Sequence, residues 1–205
     1  DGNWGLLLTV LGLVTMLLGA LLALLSVNLK RTLACSSISQ IGFILTGIGM
    51  AVLLSSVGEE NGLAVWGTFL HMVNHSLFKL VLFLCAGAVY MNLHKLNLND
   101  IRGFGRKKPA LGFCFLMGSL GIGGIPLWSG YVSKTLLHES MVEYAKAVGE
   151  GAAVLVNPGM ASASAGMPGI VTSLLLNPGI WKAAEWVFLL TGGMTVAYML
   201  DRKSV

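Results

Sequence analysis

Three titratable side chains stand at four-residue intervals in one apolar stretch: His71, His75 and Lys79. At i, i+4 and i+8 they line one face of a helix. Histidine both accepts and donates a proton near neutral pH. An amine among apolar residues can load and release one as nearby charges move. Three such groups in a row meet the chemical requirement of a proton wire. Lys79 lies about twelve or more residues from either end of its apolar stretch, so it cannot easily snorkel to an interface. A cation at bilayer centre costs about 2.5–3.5 kcal/mol on insertion scales, which points to partners, water or a function. Lys134 poses the same problem just past Gly121-Ile-Gly-Gly-Ile-Pro126. Gln40, Asn74 and Lys30 are the supporting polar residues, with Gln40 and Asn74 (and Ser76) able to hold bridging water.

Blander readings exist. A lone buried histidine is usually a hydrogen-bonded core residue, but two on one face with a mid-span lysine are harder to dismiss. His-x-x-x-His also matches zinc spacing. Here Met72 takes the place of a metalloprotease's glutamate and no third ligand is evident, so no metal is expected. His94 and His138 fall near predicted helix ends and read as interfacial. Gly12 and Gly19, seven apart, read as a close helix-packing face.

The elements that position these residues follow from composition. The 205 residues are 55% hydrophobic and 11% charged, with a net charge of +4. Soluble domains carry about 25% charged residues, so a bilayer is the expected solvent. The few basic clusters indicate a membrane leaflet and not nucleic acid. Cys35, Cys85 and Cys114 lie in apolar runs and read as small core residues, not as a disulfide framework or metal site. No G-x-G-x-x-G or P-loop pattern is present, so no nucleotide and no cofactor is expected.

A spanning helix needs roughly 20 apolar residues. The sequence predicts an all-α membrane domain over 1–205 with spans at about 4–27, 33–54, 63–91, 110–144 and 180–200. The fourth is expected to break near 121–130, with Gly123, Gly124 and Pro126 as hinge, because glycine and proline interrupt the helical ladder. Residues 147–179, with two Asn-Pro-Gly turns, read as an extramembrane loop. Five spans put the Lys30 turn, the Lys95–Lys108 loop and the Arg202 tail on one side, and Glu59, Glu60, Glu139, Glu143 and Glu150 on the other. The positive-inside rule then places the N-terminus outside and the C-terminus in the cytoplasm of an inner (plasma) membrane. No signal peptide is visible, and both ends read as cuts in a longer protein.

Three ordered motifs carry a family resemblance. Asn28-Leu-Lys-Arg-Thr-Leu-Ala-Cys-Ser-Ser-Ile-Ser-Gln-Ile-Gly42 resembles a segment of the antiporter-like subunits of respiratory complex I that usually reads D-I-K-R-x-L-A-Y-S-T-x-S-Q-I-G. His71 to Lys79 is similar to their H-x-x-x-H-x-x-x-K helix, and Gly124-Ile-Pro-Leu-Trp-Ser-Gly-Tyr-Val-Ser-Lys134 to their broken helix. Glu185 to Met199 looks like the next family helix, so the resemblance covers nearly all of the chain apart from 147–180. Asn28 replaces the usual aspartate and Cys35 the usual tyrosine. The family includes Mrp-type antiporters and membrane arms of hydrogenases.

The resemblance implies one five-helix unit of a pair of inverted repeats, here the second, with the first repeat outside this sequence. It makes His71, His75 and Lys79 a central proton relay and Lys134 the terminal site of the outward half-channel. The implied function is proton translocation by a subunit of a complex I-like or hydrogenase-like redox complex, with the redox chemistry in other subunits. The implied partners are those subunits and the lipid bilayer, with protons as cargo and sodium left open. The alternatives are an Mrp-type sodium/proton antiporter subunit, a structural scaffold fragment, and an intramembrane metalloenzyme built on His71 and His75.

Overall fold

A computed structural model of the chain describes residues 2–101, 103–150 and 177–200. Among these, the regular elements are helices: α1 (Gly2–Leu25), α2 (Leu29–Val57), α3 (Gly62–Leu93), the short α4 (Phe104–Lys107), α5 (Pro109–Gly123), α6 (Ser129–Gly149) and α7 (Pro178–Leu200). Four of them, α1, α2, α3 and α7, are long and apolar enough to cross a membrane. The expected 147–179 loop falls largely on residues outside those described, as does the Arg202 tail; residues 147–149 end α6 and 178–179 begin α7.

The fourth span is two helices laid end to end. Contacts with α3 run in strict antiparallel order: Gly67 meets Leu136 and Leu137, His71 meets Ser133, Asn74 meets Ser129, Phe78 meets Gly121, and Leu82 meets Gly118. At 15 residues α5 rises about 22 Å, short of a 30 Å hydrocarbon core, so α5 and α6 cross only together. Between them Gly124 takes φ 75 and caps α5. A turn closed by Trp128 N–H on the Ile125 carbonyl (3.1 Å) follows. Its central pair is Pro126 and Leu127, the latter at φ 79, the pattern of a type II turn. Glycine or asparagine usually fills that last position, and leucine in the left-handed region costs roughly 1 kcal/mol or more. Of the expected hinge, Gly124 and Pro126 lie in the break and Gly123 is the last residue of α5.

Caps and staples fix the ends. Asn28, at the position where the resembled segment carries aspartate, caps α2 by accepting the Lys30 and Arg31 N–H groups at 3.0 and 3.4 Å. Leu29 N–H bonds the Leu96 carbonyl and Leu98 N–H the Val27 carbonyl, both at 2.9 Å, so the Lys30 turn and the loop after α3 share one end of the bundle. Gly58 at φ 81 closes α2 at the other end, beside Glu59 and Glu60.

The burial pattern is the reverse of a soluble core. Trp4, Leu25, Trp66, Leu84 and Trp186 point outward, each more than 60% exposed. Ser36, Ser39, Gln40, His71, Lys79, Ser133, Lys134 and Thr195 are buried. Such an apolar exterior suits lipid or further membrane subunits. Threonines 9, 46, 68, 191 and 195 satisfy their hydroxyls on the carbonyl four residues back, as hydroxyls in a bilayer must.

Small residues let α1 and α2 approach closely along their whole length. Gly5, Gly12 and Gly19 of α1, seven apart, face Gly49, Gly42 and Cys35 of α2. A Cβ on Gly42 would collide with the backbone of Met16, where no side chain can yield. Gly42→Leu should therefore lower stability by about 1–3 kcal/mol, the range for overpacking. Gly87→Ala, which meets nothing in this chain, should leave it unchanged or raise it. Thermal unfolding of the purified protein in detergent reads both; equal melting temperatures for the two variants would refute the close-packed seam.

Candidate functional site

The apolar interior is divided in two. One cluster gathers Met16, Phe43, Met50, Ala64, Leu137 and Phe188 with their neighbours. The other gathers Ala20, Leu33, Leu82, Phe115, Ile122 and Tyr198 with theirs. On every span the interval between the clusters holds the small or polar residues. These are Gly19 on α1, Ser36, Ser39 and Gln40 on α2, and His71, Asn74, His75 and Lys79 on α3. The broken span adds Ser133 and Lys134, and α7 adds Thr191 and Thr195. A polar layer thus crosses the bundle at mid-height.

Both amines in this layer are buried, Lys79 at 6% exposure and Lys134 at 9%. The Lys79 ammonium donates to the Leu33 carbonyl at 2.7 Å and to the Ser36 hydroxyl. The Lys134 ammonium donates to the carbonyls of Ile122 (2.9 Å) and Gly123 (3.2 Å), the last residues of α5. Those carbonyls are freed by the break, and the negative end of the helix dipole points at the amine. The ammonium also stands 5.1 Å from the centre of the Phe43 ring.

The histidines lie between the amines. His71 Nδ1 is 3.0 Å from the Ser133 hydroxyl, and its ring is 5.8 Å from Phe43. Asn74 donates to the Ser129 carbonyl at 2.9 Å and lies 3.5 Å from the Ser133 hydroxyl. His71 and His75 follow one another by one helical turn on α3, with Lys79 a further turn along and Lys134 next to Ser133, the partner of His71. The three residues singled out by spacing, with Lys134 from α6 beyond His71, therefore line up in one row. The three on α3 do not share one narrow face, because a four-residue step advances a helix by about 40° beyond a full turn. Over two steps the row fans out: His71 turns to α6 and Lys79 to α2.

Gln40 lies in the layer and reaches Thr195 at 3.5 Å. Lys30 does not join it. Its ammonium sits 5.0 Å over the Tyr90 ring, eleven residues along α3 from Lys79 and so about 16 Å away. His94 caps α3 at φ 50, whereas His138 pairs with Glu185 of α7 at 2.9 Å. Sequence reasoning missed Ser36, Ser133 and Tyr198. Ser133 adjoins Lys134 and Ser36 belongs to a serine run in an apolar span, so both left a signal; Tyr198 left none. The Tyr198 hydroxyl is buried without a hydrogen-bond partner. Next to it is a cavity of about 20 Å³, bounded by Ser26, Thr32 and Leu98, with room for one water. Among the described residues no three His, Cys, Asp or Glu side chains converge as a metal-ligand set.

Four long apolar helices and one broken span, around a mid-height layer with two buried amines, define a polytopic, antiporter-like membrane subunit. The family model described as "NADH:quinone oxidoreductase/Mrp antiporter, TM" matches residues 1–157, and the chain belongs to that family. It is 34% identical over 139 residues to formate hydrogenlyase subunit 3 of Escherichia coli (strain K12), covering 67% of this chain and 23% of that protein. It is 37% identical over 134 residues to NAD(P)H-quinone oxidoreductase chain 4 2 of Synechococcus sp. (strain JA-2-3B'a(2-13)), covering 65% and 23%. Its fold resembles a chain of the Mrp complex from Dietzia sp. DQ12-45-1b, with a TM-score of 0.68 and 24% identity over 96% of this chain and 17% of that one. The sequence thus spans less than a quarter of the length of these relatives.

The partners of Lys79 make an asymmetric prediction. Ser36→Ala leaves a buried ammonium one acceptor short, and should lower stability by about 1–3 kcal/mol. Lys79→Met removes the charge with its need for partners, and should be neutral or stabilising. Thermal unfolding in detergent measures both; a Lys79→Met variant less stable than Ser36→Ala would contradict the buried-ammonium account.

Proposed function

We propose that this chain forms a proton-translocating half of an antiporter-like subunit in a complex I-like or hydrogenase-like redox complex. The observation that carries this reading is the row Lys79–His75–His71–Lys134 in a polar layer that splits the apolar core. A cation at this depth needs partners or a purpose, and two amines joined by two imidazoles are the groups that load, pass and release protons. The redox reaction belongs to other subunits. Its charge movements, transmitted along the membrane, shift the protonation equilibria of Lys79 and Lys134.

The atoms left without protein partners favour a hydrated route. Nε2 of His71, Nε2 of His75, Oε1 of Gln40 and the hydroxyls of Ser119 and Tyr198 are buried and unpaired. These are the sites a file of water molecules would use. On one side the route begins at the small cavity by Tyr198 and reaches Lys79 through Ser36. From Lys79 it follows the histidines to Lys134. The end bearing Lys30, Arg31, Lys95, Arg106, Lys107 and Lys108 faces the cytoplasm by the positive-inside rule, and the end bearing Glu59 and Glu60 faces outward. Protons are the cargo. Because the family description also names Mrp antiporters, sodium enters the test.

The full-length protein in its intact complex, reconstituted in vesicles, should build a pH gradient that is lost in Lys79→Ala and in Lys134→Ala. Assembly should survive in both, and replacing sodium by choline should leave the wild-type gradient intact. A gradient of wild-type size in both lysine variants would make the layer a scaffold and end the proposal; one that needs sodium would move it to sodium/proton exchange.

A further inference from the structure

We propose that His138 and Glu185 form a second proton-exchange site, beyond Lys134, which passes protons between the mid-height layer and the end of the bundle that carries Glu59 and Glu60. The inference rests on the proton-translocation reading of Lys134. Its own grounds are geometric. His138 follows Lys134 by one helical turn, about 6 Å along α6. Its Nε2 is 2.9 Å from Glu185 Oε1 on α7, and its Nδ1 is 3.8 Å from Glu139 Oε1. The imidazole is thus hydrogen-bonded to one carboxylate, on α7, and has a second near it on its own helix. The side chains of His138 and Glu185 are 22% and 30% exposed, well beyond the 9% of Lys134, so the pair is more open than the buried amine. Glu143 continues the acidic face one turn past Glu139, and its Oε2 is buried with no partner.

What separates the two sites is aromatic. Phe43 stands 5.1 Å from the Lys134 amine and packs edge-on against Phe188 at 4.8 Å; the Phe188 ring is 6.2 Å from that of His138. The charged and titratable groups around His138 can be named by element. On α6 they are Lys134, Glu139 and Glu143. On α7 they are Lys182 and Glu185, and on α3 the nearest is His71. At this level α2 offers Phe43 and no titratable group, and α5 has ended. The surroundings are net acidic.

The step balances with groups already present. With its hydrogen on Nε2 donated to Glu185, His138 keeps a free lone pair on Nδ1. An N–H bond of the Lys134 ammonium breaks, and the proton reaches Nδ1 through water, leaving a neutral amine and an imidazolium. The Nδ1–H bond then breaks towards Glu139 and solvent, restoring the neutral ring. Glu185 holds the tautomer throughout.

The full-length protein in its complex, in vesicles of defined orientation, tests this with His138→Gln, Glu185→Gln and Glu185→Asp. Proton-pumping rates should fall by about tenfold in the first two, below the hundredfold typical of positioned proton-transfer groups because water partly substitutes. Glu185→Asp should recover most of the rate. The dependence of rate on the pH of the Glu59/Glu60 compartment should also change shape in His138→Gln, which a packing defect would not cause. Lys134→Ala serves as the reference for the parent reading. Wild-type rates and pH profile in His138→Gln and Glu185→Gln, beside an inactive Lys134→Ala, would overturn the second site alone. An active Lys134→Ala would overturn both. Should His138→Gln fail to assemble, the two Glu185 variants decide the question.

Discussion

Where the fourth span breaks, α5 ends in the middle of the bundle with carbonyls that no following turn of helix can meet. In water they would be solvated; at this depth each unmet carbonyl is a liability. The Lys134 ammonium takes two of them, those of Ile122 and Gly123. The dependence is mutual. A buried ammonium needs acceptors as much as the broken helix needs a donor, and the C-terminal end of α5 adds its dipole to the attraction. The turn at Gly124–Trp128 makes this geometry possible by setting the start of α6 against the end of α5, with Gly130 beside the Gly121 carbonyl, so that the Lys134 side chain reaches the α5 carbonyls. The left-handed leucine at position 127 shows that the turn is held in place by its surroundings rather than by local preference.

The same reasoning sorts the other buried polar groups. Hydroxyls bonded to the carbonyl one turn back, such as those of Thr9, Thr46 and Thr68, are fully accounted for within their own helix. They cost little and report only that the interior is small-residue and tightly packed. The groups that remain, on Gln40, His71, His75, Ser119 and Tyr198, have at least one atom with no local solution. Those on Gln40, His71 and His75 fall in the interval between the two apolar clusters, whereas the unpaired atoms of Ser26, Glu143 and Tyr144 lie outside it. Each adds roughly 1–3 kcal/mol of desolvation penalty unless water meets it, and those in the layer are the ones the proposed hydrated route would use.

Much of this was legible in the sequence because the signals are one-dimensional. Apolar run length gave the all-helical class, and Gly-Gly-Ile-Pro gave the break. Four-residue spacing singled out His71, His75 and Lys79, and charge rarity alone singled out Lys134. What stayed hidden depends on rotation and on distant pairing. Helical drift sends Lys79 to α2 and His71 to α6, which a face-sharing argument does not resolve. Lys30 lies next to a helix start in sequence, yet folding places it over Tyr90 at the end of the bundle. Glu185 meets His138 across more than forty residues of chain, and nothing local marks it. Asn28 was read as a departure from a family pattern; in the fold it is an N-cap, a role aspartate and asparagine fill equally well.

The rotation along α3 has a consequence for how the two amines communicate. Lys79 is anchored on α2 and Lys134 on the end of α5, two separate sets of acceptors. Between them lies α3, which carries both histidines and Lys79. In the proposed relay, a charge placed on Lys79 acts on Lys134 chiefly through the imidazoles between them. The fan of side chains that weakens the picture of a straight wire would then make α3 a joint between two half-sites.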